Sequence, residues 1–222
     1  MHIRAVVDRY KDVVNVWDVV NEVIDENQPD CLRRSRWYEL TGKAYIGTAF
    51  HVAHEVAPNA ALLINDYSTT NPRKRQCIYD LVQELQADGV PVDGVGMQMH
   101  TNIQSPTPQV VETTIRKFAE LGQVHITEFD MSIYTNNTDS YESVPEAVLV
   151  RQGERYRELF DIFKRNSDLI GSVTFWGMAD DHTWLKTWPT TRLNLPLPFD
   201  EQLQPKEAFW GIVDPSRLLG QE

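Results

Sequence analysis

The chain has 222 residues, of which 41% are hydrophobic, so it is long enough for one large domain or two small ones with a buried core. Its formal net charge of -11 and pI near 5.0 argue against a nucleic-acid partner, because such a surface repels phosphate backbones. Membrane insertion is not expected either, since no apolar run approaches the roughly 18 residues that a spanning helix needs.

The first residues, MHIRAVVDRYKDVV, carry a charge every few positions. They lack the uninterrupted apolar stretch of a signal peptide, and none is predicted in this chain. A helix is predicted over residues 2–11. Two cysteines, Cys31 and Cys77, have no metal-like spacing. They could pair, but the sequence favours two unpaired thiols.

Short apolar runs rich in Val and Ile then recur along the chain. Their bounding Gly, Pro and Asn residues are typical of strands buried on both faces of a parallel sheet. The predicted strands are 13–20, 61–66, 92–99, 124–129 and 171–176.

Amphipathic stretches of helical period lie between these strands. The predicted helices are 37–56, 72–89, 108–122 and 146–166. Asn71 is the expected N-cap of the second of them, with Pro72 at its first position. Gly89 and Gly122 are expected to end helices, and a further short helix should follow Pro205.

Strict alternation of strands and helices implies an α/β fold with a parallel sheet, either doubly wound or closed into a barrel. No G-x-G-x-x-G or phosphate-binding loop follows any strand, which weakens a nucleotide-binding interpretation. The segment 179–204 is a long aromatic loop, and a loop of that size in a compact domain is usually functional.

Every predicted strand ends on polar or aromatic side chains. In a parallel barrel the C-terminal strand ends converge on one face, where the active site lies. A single ending of this kind is typical of a helix cap or an ion pair, but polar or aromatic side chains at the ends of all five strands predict a functional site. The endings are Asn21-Glu22, Asn65-Asp66-Tyr67, Gln98-Met99-His100, Thr127-Glu128-Phe129-Asp130 and Phe175-Trp176-Gly177.

Two of these endings supply a glutamate, Glu22 and Glu128. A pair of carboxylates flanking an acetal oxygen is the minimum apparatus of glycoside hydrolysis. One must be protonated to assist the leaving group and the other ionised to attack the anomeric carbon, and each charge raises the proton affinity of its neighbour. A carboxyl separation of about 5–5.5 Å accompanies retention of configuration and about 6.5–9.5 Å inversion. The residues alone leave that choice open.

Several motifs, in the same order, closely resemble glycoside hydrolase family 10: WDVVNE (17–22), LINDYS (63–68), DGVGMQMH (93–100), ITEFD (126–130) and TFWGMADDHTWL (174–185). The resemblance extends from about residue 2 to 219. It implies a (β/α)8 TIM barrel and a retaining endo-β-1,4-xylanase, which cleaves internal bonds of xylan by double displacement. Xylan or a xylo-oligosaccharide is then the expected partner, and the chemistry requires no metal or organic cofactor. Secretion of the full-length protein is expected, because the polymer is too large to enter a cell.

The resemblance also implies catalytic roles. Glu22 would be the acid/base at the end of barrel strand 4, and Glu128 the nucleophile at the end of strand 7. Asn21 would hydrogen-bond the 2-hydroxyl of the sugar being cleaved. His100 would hold Glu128 and support its charge, with Asp130 behind it.

Substrate-binding roles follow from the same resemblance. Gln98 and Tyr67 would line the cleavage subsite. Trp176 and Trp184 would stack on sugar faces, because an aromatic plane matches the C–H face of a sugar. The other tryptophans singled out are expected in the core rather than as platforms: Trp17, Trp37 and Trp210.

The chain also departs from the family pattern. If 13–20 is barrel strand 4, about five of eight β/α repeats are present (strands 4–8) and strands 1–3 are absent. We therefore expect residues 1–222 to form a single partial catalytic domain, the C-terminal part of the family's barrel. An open sheet of this kind would expose two edges and part of an apolar face. A second copy or a missing N-terminal segment could complete the barrel.

Two other functions stay open. A β-1,4-glucanase of related barrel architecture would also place Asn-Glu after strand 4 and Glu after strand 7, although the segment DGVGMQMH favours xylan. A non-catalytic role, as a truncated or inactive sugar-binding fragment, is suggested by the absent strands.

Overall fold

The computed structural model describes residues 2–218, which alternate between helices and strands. The helices are α1 (His2–Tyr10), α2 (Arg36–Thr41), α3 (Ala44–Val56), α4 (Pro72–Ala87), α5 (Pro108–Ala119), α6 (Glu146–Arg165) and α7 (Glu207–Val213). The strands are β1 (Val16–Asn21), β2 (Ala61–Asp66), β3 (Gly94–Met97), β4 (His100–Asn102), β5 (Gln123–Ser132) and β6 (Ile170–Phe175).

The strands pair as a parallel sheet, as predicted. β1 pairs with β2, β2 with β3 and β3 with the first part of β5, while β4 pairs with the end of β5. β6 also pairs with β5. β2 and β3 are buried along their whole length, which explains why the sequence shows them as continuous apolar runs. β1 and β6 leave most of their residues at least partly exposed, as expected for strands at a sheet edge.

The described chain groups into two compact units. Unit 1 contains the chain up to Gln98 together with Thr114–Ile126 and Leu169–Ser172. Unit 2 contains Met99–Thr113, Thr127–Asp168 and the chain from Val173 onward. The single domain expected for the whole chain stays a prediction.

Unit 1 has its core between β2 and the helices beside it. Ile46 and Phe50 on α3 are fully buried, and α3 packs on β1 and β2. At the start of α4, the Asn71 side chain accepts hydrogen bonds from the backbone N–H groups of Arg73 and Lys74. Pro72 occupies the first turn, as predicted. Gly89, just beyond α4, has a φ of 76°, the left-handed conformation expected of a glycine that ends a helix.

Unit 2 has an aromatic core. Phe129 on β5 contacts Tyr156 and Phe163 of α6 edge-to-face, with ring centroids 5.1 and 5.8 Å apart. α6 also packs closely on α7, where a Cβ at Gly153 would come within 2.6 Å of the Glu207 carbonyl oxygen. A side chain at Gly153 would therefore force the two helices apart.

Two predicted elements are divided in the structure. The helix expected over 37–56 is divided into α2 and α3 at Gly42. The φ of Gly42 is 59°, and its backbone N–H donates to the Tyr38 carbonyl oxygen at the end of α2. The strand expected over 92–99 ends at Met97, and the separate strand β4 begins at His100. Helical period alone did not reveal the first break, which depends on the backbone conformation of Gly42.

Two side-chain expectations were wrong. Cys31 and Cys77 form a disulfide rather than two thiols, with Cα atoms 5.7 Å apart across 46 positions of sequence. Trp37 is 66% exposed on the short helix α2 and does not belong to the core. Trp17 and Trp210 are partly buried.

Among residues 2–218, no helix combines the length and the apolar character needed to cross a membrane.

Candidate active site

In unit 2, an imidazole lies between two carboxylates. Glu128 and Asp130 are two positions apart on β5, so their side chains leave the strand on the same side. His100 begins β4 and is the ladder partner of Asp130. Its Nε2 is 3.2 Å from Glu128 Oε2, and its Nδ1 is 3.0 Å from Asp130 Oδ1. The parallel pairing of two strand ends thus creates this constellation.

The surroundings of His100 favour its charged form. Burial by itself lowers the pKa of His100, but the hydrogen bonds to Asp130 and Glu128, together with their charges, raise it to about 9. An imidazolium donates an N–H to each carboxylate. His100 therefore places a positive charge beside the carboxyl group of Glu128.

Asp130 also positions an aromatic side chain. The Trp184 indole Nε1 donates to Asp130 Oδ2 at 2.7 Å, while Asp130 itself is fully buried. The Trp184 ring centroid lies 5.0 Å from that of His100, and the Trp176 centroid 6.5 Å from it. Both tryptophans thus lie beside the imidazole that contacts Glu128.

The loop that carries Trp184 is anchored at several points. Lys206 Nζ lies 2.5 Å from Asp180 Oδ2 and donates to the carbonyl oxygens of Leu195 and Leu197 at 2.9 and 2.8 Å. Gln152, buried on α6, also donates to the Leu195 carbonyl at 2.8 Å. The aromatic loop is therefore fixed by buried polar contacts rather than loosely connected.

In unit 1, Glu22 directly follows β1. Its φ of 54° lies in the left-handed region, which is costly for a residue with a side chain and occurs preferentially at functional positions. Its backbone N–H donates to the Asn65 carbonyl at 2.8 Å. The carboxylate is divided between two partners: Oε2 is 3.0 Å from Arg33 Nη1, and Oε1 is 3.5 Å from Gln98 Nε2.

Asn21 is held by amides of the two neighbouring strands. Its Oδ1 accepts from Asn65 Nδ2 at 2.9 Å and from Gln98 Nε2 at 3.1 Å. Asn65 is almost fully buried, and its hydrogen bond to Asn21 provides a partner for its amide there. These bonds fix the Asn21 amide at the end of β1.

Tyr67 lies above a buried ion pair. Lys74 Nζ is 2.7 Å from Asp66 Oδ1, and both side chains are fully buried. Burial raises the pKa of Asp66, while the charge and hydrogen bond of Lys74 act to lower it. The same ammonium group is 3.2 Å from the centroid of the Tyr67 ring, a cation–π contact. The Tyr67 hydroxyl accepts from Arg33 Nη2 at 2.9 Å.

The predicted site residues thus form two groups. Unit 1 brings together Asn21, Glu22, Tyr67 and Gln98. Unit 2 brings together His100, Glu128, Asp130, Trp176 and Trp184. Sequence reasoning missed two residues of unit 1 that hold the first group, Arg33 and Lys74, and it listed Asn65 among the polar strand endings without a role. Within residues 2–218, no group of three or more His, Cys, Asp or Glu side chains is arranged to hold a metal ion.

Comparison with known proteins identifies relatives over nearly the whole chain. The family model for glycosyl hydrolase family 10 matches residues 1–215. A protein of Thermoclostridium stercorarium named thermostable celloxylanase is 49% identical over 98% of this chain and 57% of its own length. A protein of Dictyoglomus thermophilum named beta-1,4-xylanase is 46% identical over 96% of this chain and 61% of its own length.

Solved structures agree with these relatives. Xylanase B from Clostridium stercorarium F9 superimposes with a TM-score of 0.94 at 48% identity, covering 96% of this chain and 64% of that one. A mutant enzyme in complex with xylotriose superimposes with a TM-score of 0.91 at 35% identity, covering 96% of this chain and 66% of that one. The predicted fold class is confirmed: the chain has an α/β fold that matches part of a TIM-barrel structure. It spans about three fifths of the length of the relatives it matches.

Proposed function

Because this chain belongs to glycosyl hydrolase family 10, we propose that it acts as an endo-β-1,4-xylanase that cleaves internal bonds of xylan with retention of configuration. The observation that carries the proposal is the contact of Glu128 with a positively charged His100, which Asp130 holds from the other side. A carboxyl group held in place beside a positive charge is suited to attack an anomeric carbon.

In the first step, Glu128 attacks the anomeric carbon while Glu22 donates its proton to the oxygen of the departing sugar. In the second step, Glu22 accepts a proton from water, which attacks the same carbon and releases Glu128. Asn21 is the proposed partner of the sugar 2-hydroxyl, a contact that strengthens as positive charge develops on the ring.

The remaining predicted residues bind sugar in this proposal. Gln98 and Tyr67 line the cleavage subsite. Gln98 donates to Asn21, and Tyr67 accepts from Arg33, which also contacts Glu22. Trp184 and Trp176 supply aromatic faces for xylose rings. Trp184 is suited to this role because Asp130 fixes its orientation. Secretion of the protein stays a prediction.

The test is hydrolysis of xylan by the chain and three variants. Glu128→Gln should abolish release of reducing ends. Glu142→Gln, an exposed glutamate of the same unit, should leave it unchanged. Glu22→Ala should lose most activity on xylan but retain the first step on an aryl xylobioside with an activated leaving group, which needs no acid. Undiminished turnover of xylan by Glu128→Gln would end the proposal.

A non-catalytic sugar-binding role is the alternative to be tested on the chain of 222 residues. It predicts cooperative unfolding and binding of xylo-oligosaccharides without hydrolysis by the unmodified chain. Rates on xylan and on cellulose substrates separate a xylanase from a glucanase, a comparison of interest because one relative is named a celloxylanase.

A further inference from the structure

The segment after Glu22 folds back on itself. Ile24 and Leu32 form an antiparallel bridge, and the backbone N–H of Arg33 donates to the Val23 carbonyl at 2.8 Å. Arg33 therefore returns to the side of Glu22, although it is eleven positions further along the chain.

Covalent and polar contacts fix this hairpin. The disulfide joins Cys31 of the hairpin to Cys77, which is buried on α4. On its other side, Asp30 accepts from the Leu32 N–H at 3.2 Å and from the Tyr38 hydroxyl at 2.6 Å. The backbone that carries Arg33 is thus held by α4 through the disulfide and by α2 through Tyr38.

The Arg33 guanidinium bridges two predicted site residues. Nη1 is 3.0 Å from Glu22 Oε2, and Nη2 donates to the Tyr67 hydroxyl at 2.9 Å. Burial acts to lower the pKa of Arg33, but the charges of Tyr67 and Glu22 and its hydrogen bonds to them raise it. Arg33 thus carries a permanent positive charge directly beside Glu22.

Other titratable groups of unit 1 surround this bridge. The charge of Arg33 acts on Asp25 of the hairpin and on Tyr45 of α3. The buried pair of Asp66 and Lys74 lies beneath the Tyr67 ring. Among the contacts described in unit 1, Arg33 is the cationic partner of the Glu22 carboxylate.

We propose that Arg33 is a positioning residue that holds Oε2 of Glu22, so that Oε1 is the oxygen that gives and takes the proton. The assignment rests on the proposed function, because it concerns the acid/base role of Glu22. It adds a residue that no motif of the sequence singled out.

Loss of the guanidinium has two separable consequences. Without the cation 3.0 Å from its carboxylate, the basic limb of the pH profile of kcat/KM is expected to move upward. Without a fixed Oε2, proton donation is misaligned. Cleavage of a poor leaving group then falls about tenfold, a part of the roughly 10²–10⁴-fold that a general acid contributes. Cleavage of an activated aryl group changes little.

The experiment compares Arg33→Met with Arg36→Met, which removes an exposed arginine paired with Glu39 on α2. The pH profile and the dependence on leaving group are measured for both variants. The titration midpoint of the Glu22 carboxyl is followed by ¹³C NMR, with its signal assigned by its loss in Glu22→Gln. We expect an upward movement of both the limb and the midpoint in Arg33→Met and none in Arg36→Met. Arg33→Lys keeps the charge and should restore the limb.

An unchanged limb and midpoint in Arg33→Met overturns the proposal. If that variant does not fold, Arg33→Gln, which also lacks the charge but keeps a polar side chain, provides the comparison of limb and midpoint. If the unmodified chain does not hydrolyse xylan, the proposed function fails, yet the NMR midpoint still decides whether Arg33 acts on Glu22.

Discussion

Replacing His100 by asparagine removes the imidazolium that lies between Glu128 and Asp130. The pKa of His100 is raised from 6.5 to about 9, and its side chain is 20% exposed, so solvent screens the interaction only weakly. A displacement of that size corresponds to a stabilisation on the order of 3 kcal/mol.

The sign of the pH dependence follows from the direction of the shift. Because the pKa is higher in the folded chain than in the unfolded chain, the folded state binds the proton more tightly. The stabilisation is present in full below about pH 6.5 and is lost as the pH rises through about 9. We therefore expect His100→Asn to lower the free energy of unfolding by about 3 kcal/mol more at pH 6 than at pH 10.

Urea unfolding of the parent chain and of His100→Asn at both pH values measures this difference. His182→Asn is the control, because that imidazole is 86% exposed and pairs only with its neighbour Asp181 among the contacts described. It should change stability little at either pH. An equal loss for His100→Asn at pH 6 and pH 10, or an NMR titration of the His100 ring with a midpoint near 6.5, would refute the reasoning.

Two further predictions concern stability. Cys77→Ser opens a loop closed across 46 positions and should lower the free energy of unfolding by about 3–4 kcal/mol; urea curves measured with and without reductant should coincide for this variant and differ for the parent. Lys206→Met leaves the buried carboxylate of Asp180 without its cation and should cost about 3–5 kcal/mol. The double variant Lys206→Met with Asp180→Asn should recover part of this loss of stability. No recovery would show that loss of the ion pair is not the cause.

The fold was predictable wherever local pattern and final structure agree. β2 is buried on both faces, and the apolar run over residues 61–64 shows this in the sequence. The start of α4 was predictable because Asn71 and Pro72 act through bonds to their immediate neighbours. The contact of His100 with Glu128 followed from the order of strand ends in a parallel sheet together with the family motifs.

What the sequence did not reveal depends on contacts between distant positions. Cys31 and Cys77 meet because the hairpin after β1 returns against α4, and no spacing rule encodes that approach. Arg33 stands in a polar stretch, and only the bridge between Ile24 and Leu32 brings it to Glu22. Exposure of Trp37 is equally invisible, since an aromatic residue in a helical pattern is more often buried.

The left-handed backbone of Glu22 means that stability and the proposed acid role favour different residues at this position. Glycine adopts a φ of 54° without the steric conflict of a Cβ, which costs other residues about 1 kcal/mol. Selection of variants for heat resistance alone should therefore favour glycine there, whereas, under the proposed function, selection for turnover of xylan should retain glutamate. The amino acid found at that position after each regime would tell which of the two pressures had acted on it.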